Sequence, residues 1–260
     1  MKSKSLLTTL SFLTLAAAVH GGEPASPPPT ATQTATEEGW HFRVVPYGWV
    51  TAIKGDMGIG PLVAPVDISM KDTLRDLDIA AMAVLEASYG RWSFGADITY
   101  AKTTGDLDAG GRIFSGFKLE QEQWVINPVI GYSAIDLERC KVEVFGGVRI
   151  NVFEATLTGD LVRGGQRARS AGVDWVDPVV GLRAQADLCS RVFVRCNGDI
   201  GGFGAGSDFT WQAFAGLGYR ITKSLNLGLG YRALGVDYSD GEFVIDTVTH
   251  GPLLGIELHW

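Results

Sequence analysis

The sequence predicts an all-β protein, a closed antiparallel up-and-down transmembrane β-barrel of ten strands, with eight or twelve as the alternatives. Three observations predict it. From Trp40 onward the apolar residues recur with period two, the signature of strands. Short connections alternate with mostly longer ones along the chain. On the apolar face, aromatic residues recur at a spacing that suits a lipid bilayer. Composition agrees: 34 of 260 residues are Gly, and the apolar fraction of 46% is too high for a disordered chain. A net charge of −7 lacks the basic face that a nucleic-acid partner requires.

Residues 1–21 read as an export signal. Lys2 and Lys4 precede an apolar stretch from Leu6 to Val19, and small residues follow at Ala16, Ala17, Ala18, Gly21 and Gly22. The stretch falls short of the ~18–20 residues of a spanning helix. Residues 22–39 are rich in Pro, Thr and Ala, with Pro27, Pro28 and Pro29 in a row, and read as a disordered periplasmic linker. The barrel then occupies 40–260.

Its strands are read at about 40–54, 77–90, 91–104, 118–134, 140–156, 173–188, 191–203, 209–221, 224–237 and 246–260. Short turns at Gly90–Arg91, Asp136–Arg139, Leu188–Arg191 and Thr222–Lys223 belong to one end. The connections 55–76, 105–117, 157–172, 204–208 and 238–245 belong to the other. In transmembrane barrels the short set is periplasmic, and an even strand count returns both termini there.

Soluble sheets alternate too, so two further features choose the solvent. Trp92 and Tyr100, Trp124 and Tyr132, and Trp211 and Tyr219 are each eight residues apart on the apolar face. Eight residues on a tilted strand rise roughly 20 Å, close to the ~25 Å apolar band with its two aromatic girdles. The opposite face carries Glu86, Asp97, Glu143, Arg149, Arg183, Gln185, Asp187, Arg195, Asn197, Asp199, Arg220, Asn226, Arg232 and Glu257. Lipid outside and charge inside is the expected arrangement, with the bilayer as partner and a monomer as the state. The last strand alternates to a terminal aromatic, with Gly255, Leu258 and Trp260 where the barrel assembly machinery reads its signal. Leu253 stands where a polar residue is usual.

The run from Asp199 to Gln212 (DIGGFGAGSDFTWQ), with Asp177–Arg183 (DPVVGLR), Gly230-Tyr231-Arg232 and His250–Gly255 (HGPLLG), resembles a family of uncharacterised bacterial outer-membrane β-barrel proteins. The likeness extends from about Trp40 to Trp260 and is densest after Trp175. It implies a barrel fold and an outer-membrane location, and it carries no activity with it.

Gly-x-Arg recurs at Gly147/Arg149, Gly181/Arg183, Gly218/Arg220 and Gly230/Arg232, each pair on the inner face. Gly is expected to leave room for the guanidinium, and the inner acids to pair with it. A salt-bridged, structural plug is the plain reading, and a narrow charge-lined passage for small polar solutes the sharper one. Ten strands enclose too little for a wide pore. Two other classes are weighed. One is a rim-sited hydrolase of omptin type, using His250 with Asp246. The other is a receptor or adhesion module acting through its loops. His41 and His259 are expected at the periplasmic rim as interface residues. No catalytic residue, metal site or cofactor is expected.

In the connection 55–76, residues 70–77 are expected to form one or two helical turns, and Ile59, Leu62 and Val63 an exposed apolar contact surface. Cys140 and Cys189, placed symmetrically about Gly164–Gly165, are the candidate disulfide, although alternation assigns them to opposite faces.

Overall fold

The computed structural model describes residues 39–59, 62–107, 114–161, 165–240 and 243–260. The leader, and the linker but for Gly39, lie outside the described residues.

Twelve strand segments fill ten positions of one closed antiparallel sheet. β1 (Trp40–Trp49) and β2 (Ala52–Ile59) share a position, because both pair with β12 (Phe243–His259) in a single register. Arg43 faces His259, Trp49 faces Leu253 and Ala52 faces His250. β3 (Leu62–Ile68) folds back on β2, and α1 (Met70–Asp76) leads into β4 (Leu77–Tyr89), which pairs with β1. The meander continues through β5 (Trp92–Leu107), β6 (Phe114–Leu137), β7 (Cys140–Leu161) and β8 (Gln166–Asp187). It goes on through β9 (Val192–Gly202), β10 (Phe209–Arg220) and β11 (Leu225–Ser239) to β12, whose pairing with β1 closes the ring. Closure leaves the ring itself without an edge, while β3 pairs with β2 alone among the described residues.

Alternation sets which side chains enter the barrel. Leu182, Leu217 and Leu229 point outward and are 57%, 56% and 61% exposed, whereas Arg149 and Asp177 point inward at 1% and 0%. The arrangement is a globular core inverted. Outward rings pair across strands at both expected levels: Trp92 with Tyr132 at 5.0 Å and Tyr100 with Trp124 at 4.4 Å between centroids. Trp211 and Tyr219 also face outward on β10. Trp40, Phe42, Tyr89 and Trp260 add to the girdle at the end where the short turns lie, with Trp40 5.4 Å from Tyr89 and Phe42 5.9 Å from Trp260. That end is the turn end; the opposite one is the loop end.

Strand lengths depart from expectation at the loop end. β2 runs to Ile59 rather than residue 54, β7 to Leu161 and β8 starts at Gln166, so much of the expected loops is paired hairpin. These extensions lie beyond the girdle, where both faces meet water and apolar alternation is not required. The segment 55–76 is a hairpin followed by α1 rather than a loop. Ser69 caps α1 by accepting from the Asp72 amide, while Asp72 answers the Ser69 amide in a capping box. Val63 is 47% exposed, while the side chains of Ile59 and Leu62 lie outside the described residues.

The Cys140–Cys189 bridge is corrected: Cys140, Cys189 and Cys196 are free thiols. Cys140 faces Ala186 across β7 and β8, which leaves Cys189 three residues further along, in the turn.

Candidate functional site

The lumen is filled in layers, and alternation on the strands places each. Nearest the turn end is a vestibule of about 330 Å3 that includes His41, Lys141, Arg220 and His259 in its lining. His41 and His259 lie at the turn-end rim as expected, but they share the inner face with Arg43 and Glu257, which corrects the interface role; His259 Nδ1 lies 3.9 Å from Glu257. Arg220 pairs with Asp187 at 2.5 Å.

An ionic layer follows. Arg43 bonds Glu86 at 2.8 Å and Glu257 at 3.2 Å. Arg183 reaches Glu86 across the bore from β8 to β4, and lies 3.5 Å from Glu143. Arg195 bonds Glu257 at 2.6 Å, and the Gln185 side-chain oxygen accepts from its guanidinium. Asn226 Nδ2 donates to Glu257 at 2.7 Å.

Above this layer lies an apolar ring around a cavity of about 180 Å3. Val45, Val84, Val129, Val179 and Leu253 contribute aliphatic groups, and Phe145, Phe193 and Phe214 contribute rings. The rings explain the inner glycines. A Cβ on Gly181, Gly218 or Gly230 would overlap Phe145, Phe193 or Phe214 respectively, so ring atoms, not guanidinium groups, fill the space those glycines leave. At Gly147 a Cβ would collide with the Pro128 carbonyl. This corrects the expected role of Gly-x-Arg. The guanidinium groups stack on rings instead: Arg183 over Phe145 at 5.6 Å, and Arg195 and Arg220 over Phe193 at 5.3 and 4.9 Å.

A second ionic layer lies beyond the cavity. Arg232 pairs with Asp97 at 2.9 Å, donates to the Tyr47 hydroxyl at 3.0 Å and to Gln212, and stacks on Trp49 at 4.7 Å. Tyr47 donates to Asp97 at 2.7 Å. Arg149 pairs with Asp199 at 2.7 Å and donates to Asn127 at 2.8 Å and Thr210 at 2.7 Å, tying β7 to β6, β9 and β10. Its guanidinium thereby meets three walls at once.

The loop end is capped from inside. Asp177, fully buried, accepts from Trp175 Nε1 at 2.9 Å and from the Ser207 amide at 2.6 Å, drawing the 203–208 turn into the mouth. That turn runs through Gly202 at φ 86° and Gly204 at φ 76°, left-handed values that glycine adopts without strain. Trp175 stacks on Tyr238 at 4.3 Å, with Ile245 completing an apolar cluster.

All eleven inner charges expected from alternation face the lumen and take part in these ion pairs. Arg43, Tyr47 and Asp177 were missed. The parity of Arg43 and Tyr47 with Val45 on β1 could have found the first two; Asp177 shares the face of Arg183 six residues on. Asp246 and His250 are not brought together. Both point outward, His250 bonded to the Tyr231 hydroxyl at 2.6 Å, while Asp246 stands opposite Asp237 and Asp56.

No family model and no curated protein matches the sequence. Among solved structures, the chain is similar to the transport unit of the autotransporter AIDA-I from Escherichia coli, at 9% identity and TM-score 0.44 over 86% of this chain and 91% of that one. It is similar to Neisserial surface protein A at 13% and 0.32, over 85% and 99% of the two chains. Against the attachment invasion locus protein Ail of Yersinia pestis the values are 11% and 0.33, over 86% and 100%. These are likenesses of architecture alone.

Proposed function

We propose that the chain is an outer-membrane β-barrel whose lumen is closed by its own ion pairs and whose role is structural rather than that of an open pore. One observation carries the reading: exposed aliphatic side chains cover the outside while Arg149, 1% exposed, bridges three strands within. In water this distribution would expose the apolar surface and bury the charge; in a bilayer it satisfies both. The two ionic layers set paired charges across the lumen, and the Asp177-anchored turn is drawn into its mouth, which supports closure.

Reconstitution in a planar bilayer tests both halves. The folded wild-type chain is expected to require detergent for solubility and to give no discrete conductance steps. A compact species soluble in buffer alone would overturn the membrane reading. Salt-dependent steps from the wild type would overturn closure in favour of a narrow charge-lined passage, the reading that the open vestibule at the turn end favours.

A further inference from the structure

The cavity between the two ionic layers has no task in a purely structural plug. Its wall is apolar around most of its circumference, and its volume of about 180 Å3 is close to that of the ~150 Å3 apolar cavities that stay dry and take up benzene. A close-packed interior does not leave such a space without cost. Against β11 the wall is bare: a Cβ on the inner face of Gly228 would find its nearest neighbour 3.9 Å away, the Gly255 carbonyl oxygen. Here, unlike at Gly218 and Gly230, no ring covers the glycine.

The polar atoms at its margins are informative. Asn127, Asn226 and Arg232 all line the cavity and are 7%, 5% and 3% exposed. Asn127 Nδ2, Arg232 Nε and Asn226 Oδ1 have no hydrogen-bond partner among the described residues. Buried groups of this kind are costly unless a ligand or water completes them. Two are donors from the layer toward the loop end, and one is an acceptor from the layer toward the turn end. The charges around them are already paired, so an ionic guest would enter as an uncompensated buried charge.

We propose that this cavity is a binding site for a small neutral ring compound bearing one hydroxyl, of the phenol class. The ring fills the space beside Gly228, and the hydroxyl oxygen accepts one hydrogen bond from Asn127 Nδ2, an enclosed donor that must turn toward the guest to reach it. Arg43, Glu86, Arg183, Arg195 and Glu257 line both cavity and vestibule, so this ion-paired layer is the gate and entry is from the turn end. The layer of Arg232 and Arg149 makes the site a blind one.

The test uses the full-length chain folded in zwitterionic detergent and 4-fluorophenol as probe, followed by 19F NMR against empty micelles. Saturable one-to-one binding is expected for the wild type. Gly228→Leu, which fills the space, is expected to abolish it; Gly228→Ala, the milder fill if the first variant does not fold, is expected to weaken it. Fluorobenzene, lacking the hydroxyl, is expected to bind about tenfold more weakly, the loss that goes with one hydrogen bond. No saturable binding above empty micelles, or affinity unchanged by filling at Gly228, overturns the site. Equal affinity for fluorobenzene overturns the hydroxyl assignment.

Discussion

Arg149 and Asp199 form an ion pair with side-chain exposures of 1% and 4%, and each depends on the other to remain charged inside the barrel. Removing one partner from such a pair costs about 3–5 kcal/mol, whereas replacing both by apolar groups of similar size is often neutral. Arg149→Ala is therefore expected to lower the unfolding midpoint in denaturant strongly, and Arg149→Met with Asp199→Leu to recover most of the loss. Gly218 sets a different limit. A Cβ there would overlap the Phe193 ring on which Arg195 and Arg220 stack, so Gly218→Val is expected to cost about 1–3 kcal/mol through overpacking. Same-face alternation made Arg149, Arg183 and Arg232 legible as lumen residues. It did not make their neighbours legible, because which ring lies over which glycine depends on the register between strands, and no single strand's sequence states it.

At the scale of elements, α1 shows how a short helix survives in an exposed connection. Ser69 Oγ donates to Asp72 at 2.6 Å and the Ser69 amide donates to the same carboxylate, holding the Asp72 pKa below the ordinary carboxylate value. A depressed folded pKa means the contribution is present above the unfolded pKa and fades as pH falls through the folded one. Order in α1 is thus expected to persist at neutral pH and to be lost on acidification below the usual carboxylate range, read as broadening of the 70–76 amide resonances. Ser69→Ala is expected to cost the helix about 1 kcal/mol at neutral pH. Helical turns over 70–77 were legible in the sequence; the Ser69–Asp72 capping box that holds them is what the structure adds. The sequence did not announce the β2–β3 hairpin, since Pro65, Gly55 and Gly58 argue against strand; pairing of β2 to β12 overrides the glycines, and Pro65 is tolerated on β3, which pairs with β2 alone among the described residues.

For the molecule as a whole, the bilayer reading makes substitution costs depend on depth. Ala215 lies midway between Trp211 and Tyr219 on the outer face of β10, where an arginine costs about 2–4 kcal/mol, against ~0–1 near the interfaces. Ala215→Arg is expected to reduce the stability of the folded barrel in liposomes by that amount, while Ser239→Arg, beyond the belt on β11, is expected to change it little. In a water-soluble barrel both substitutions would be mild, so the contrast tests the solvent directly.

The sequence by itself determined the fold class, the ten-position meander and the inner face of the eleven paired charges, because period-two alternation is a local property that each strand states alone, and the eight-residue aromatic spacing on β5, β6 and β10 adds the solvent. Tertiary structure decided what the inner side chains do together. Whether charges meet acids, rings fill glycine notches or a cavity stays open depends on stagger between strands distant in sequence, as with Arg183 of β8 and Glu86 of β4. It likewise decided that Cys140 faces Ala186 rather than Cys189. Pairwise geometry across a closed barrel is a sum over all its registers, and a sequence read one strand at a time does not contain that sum.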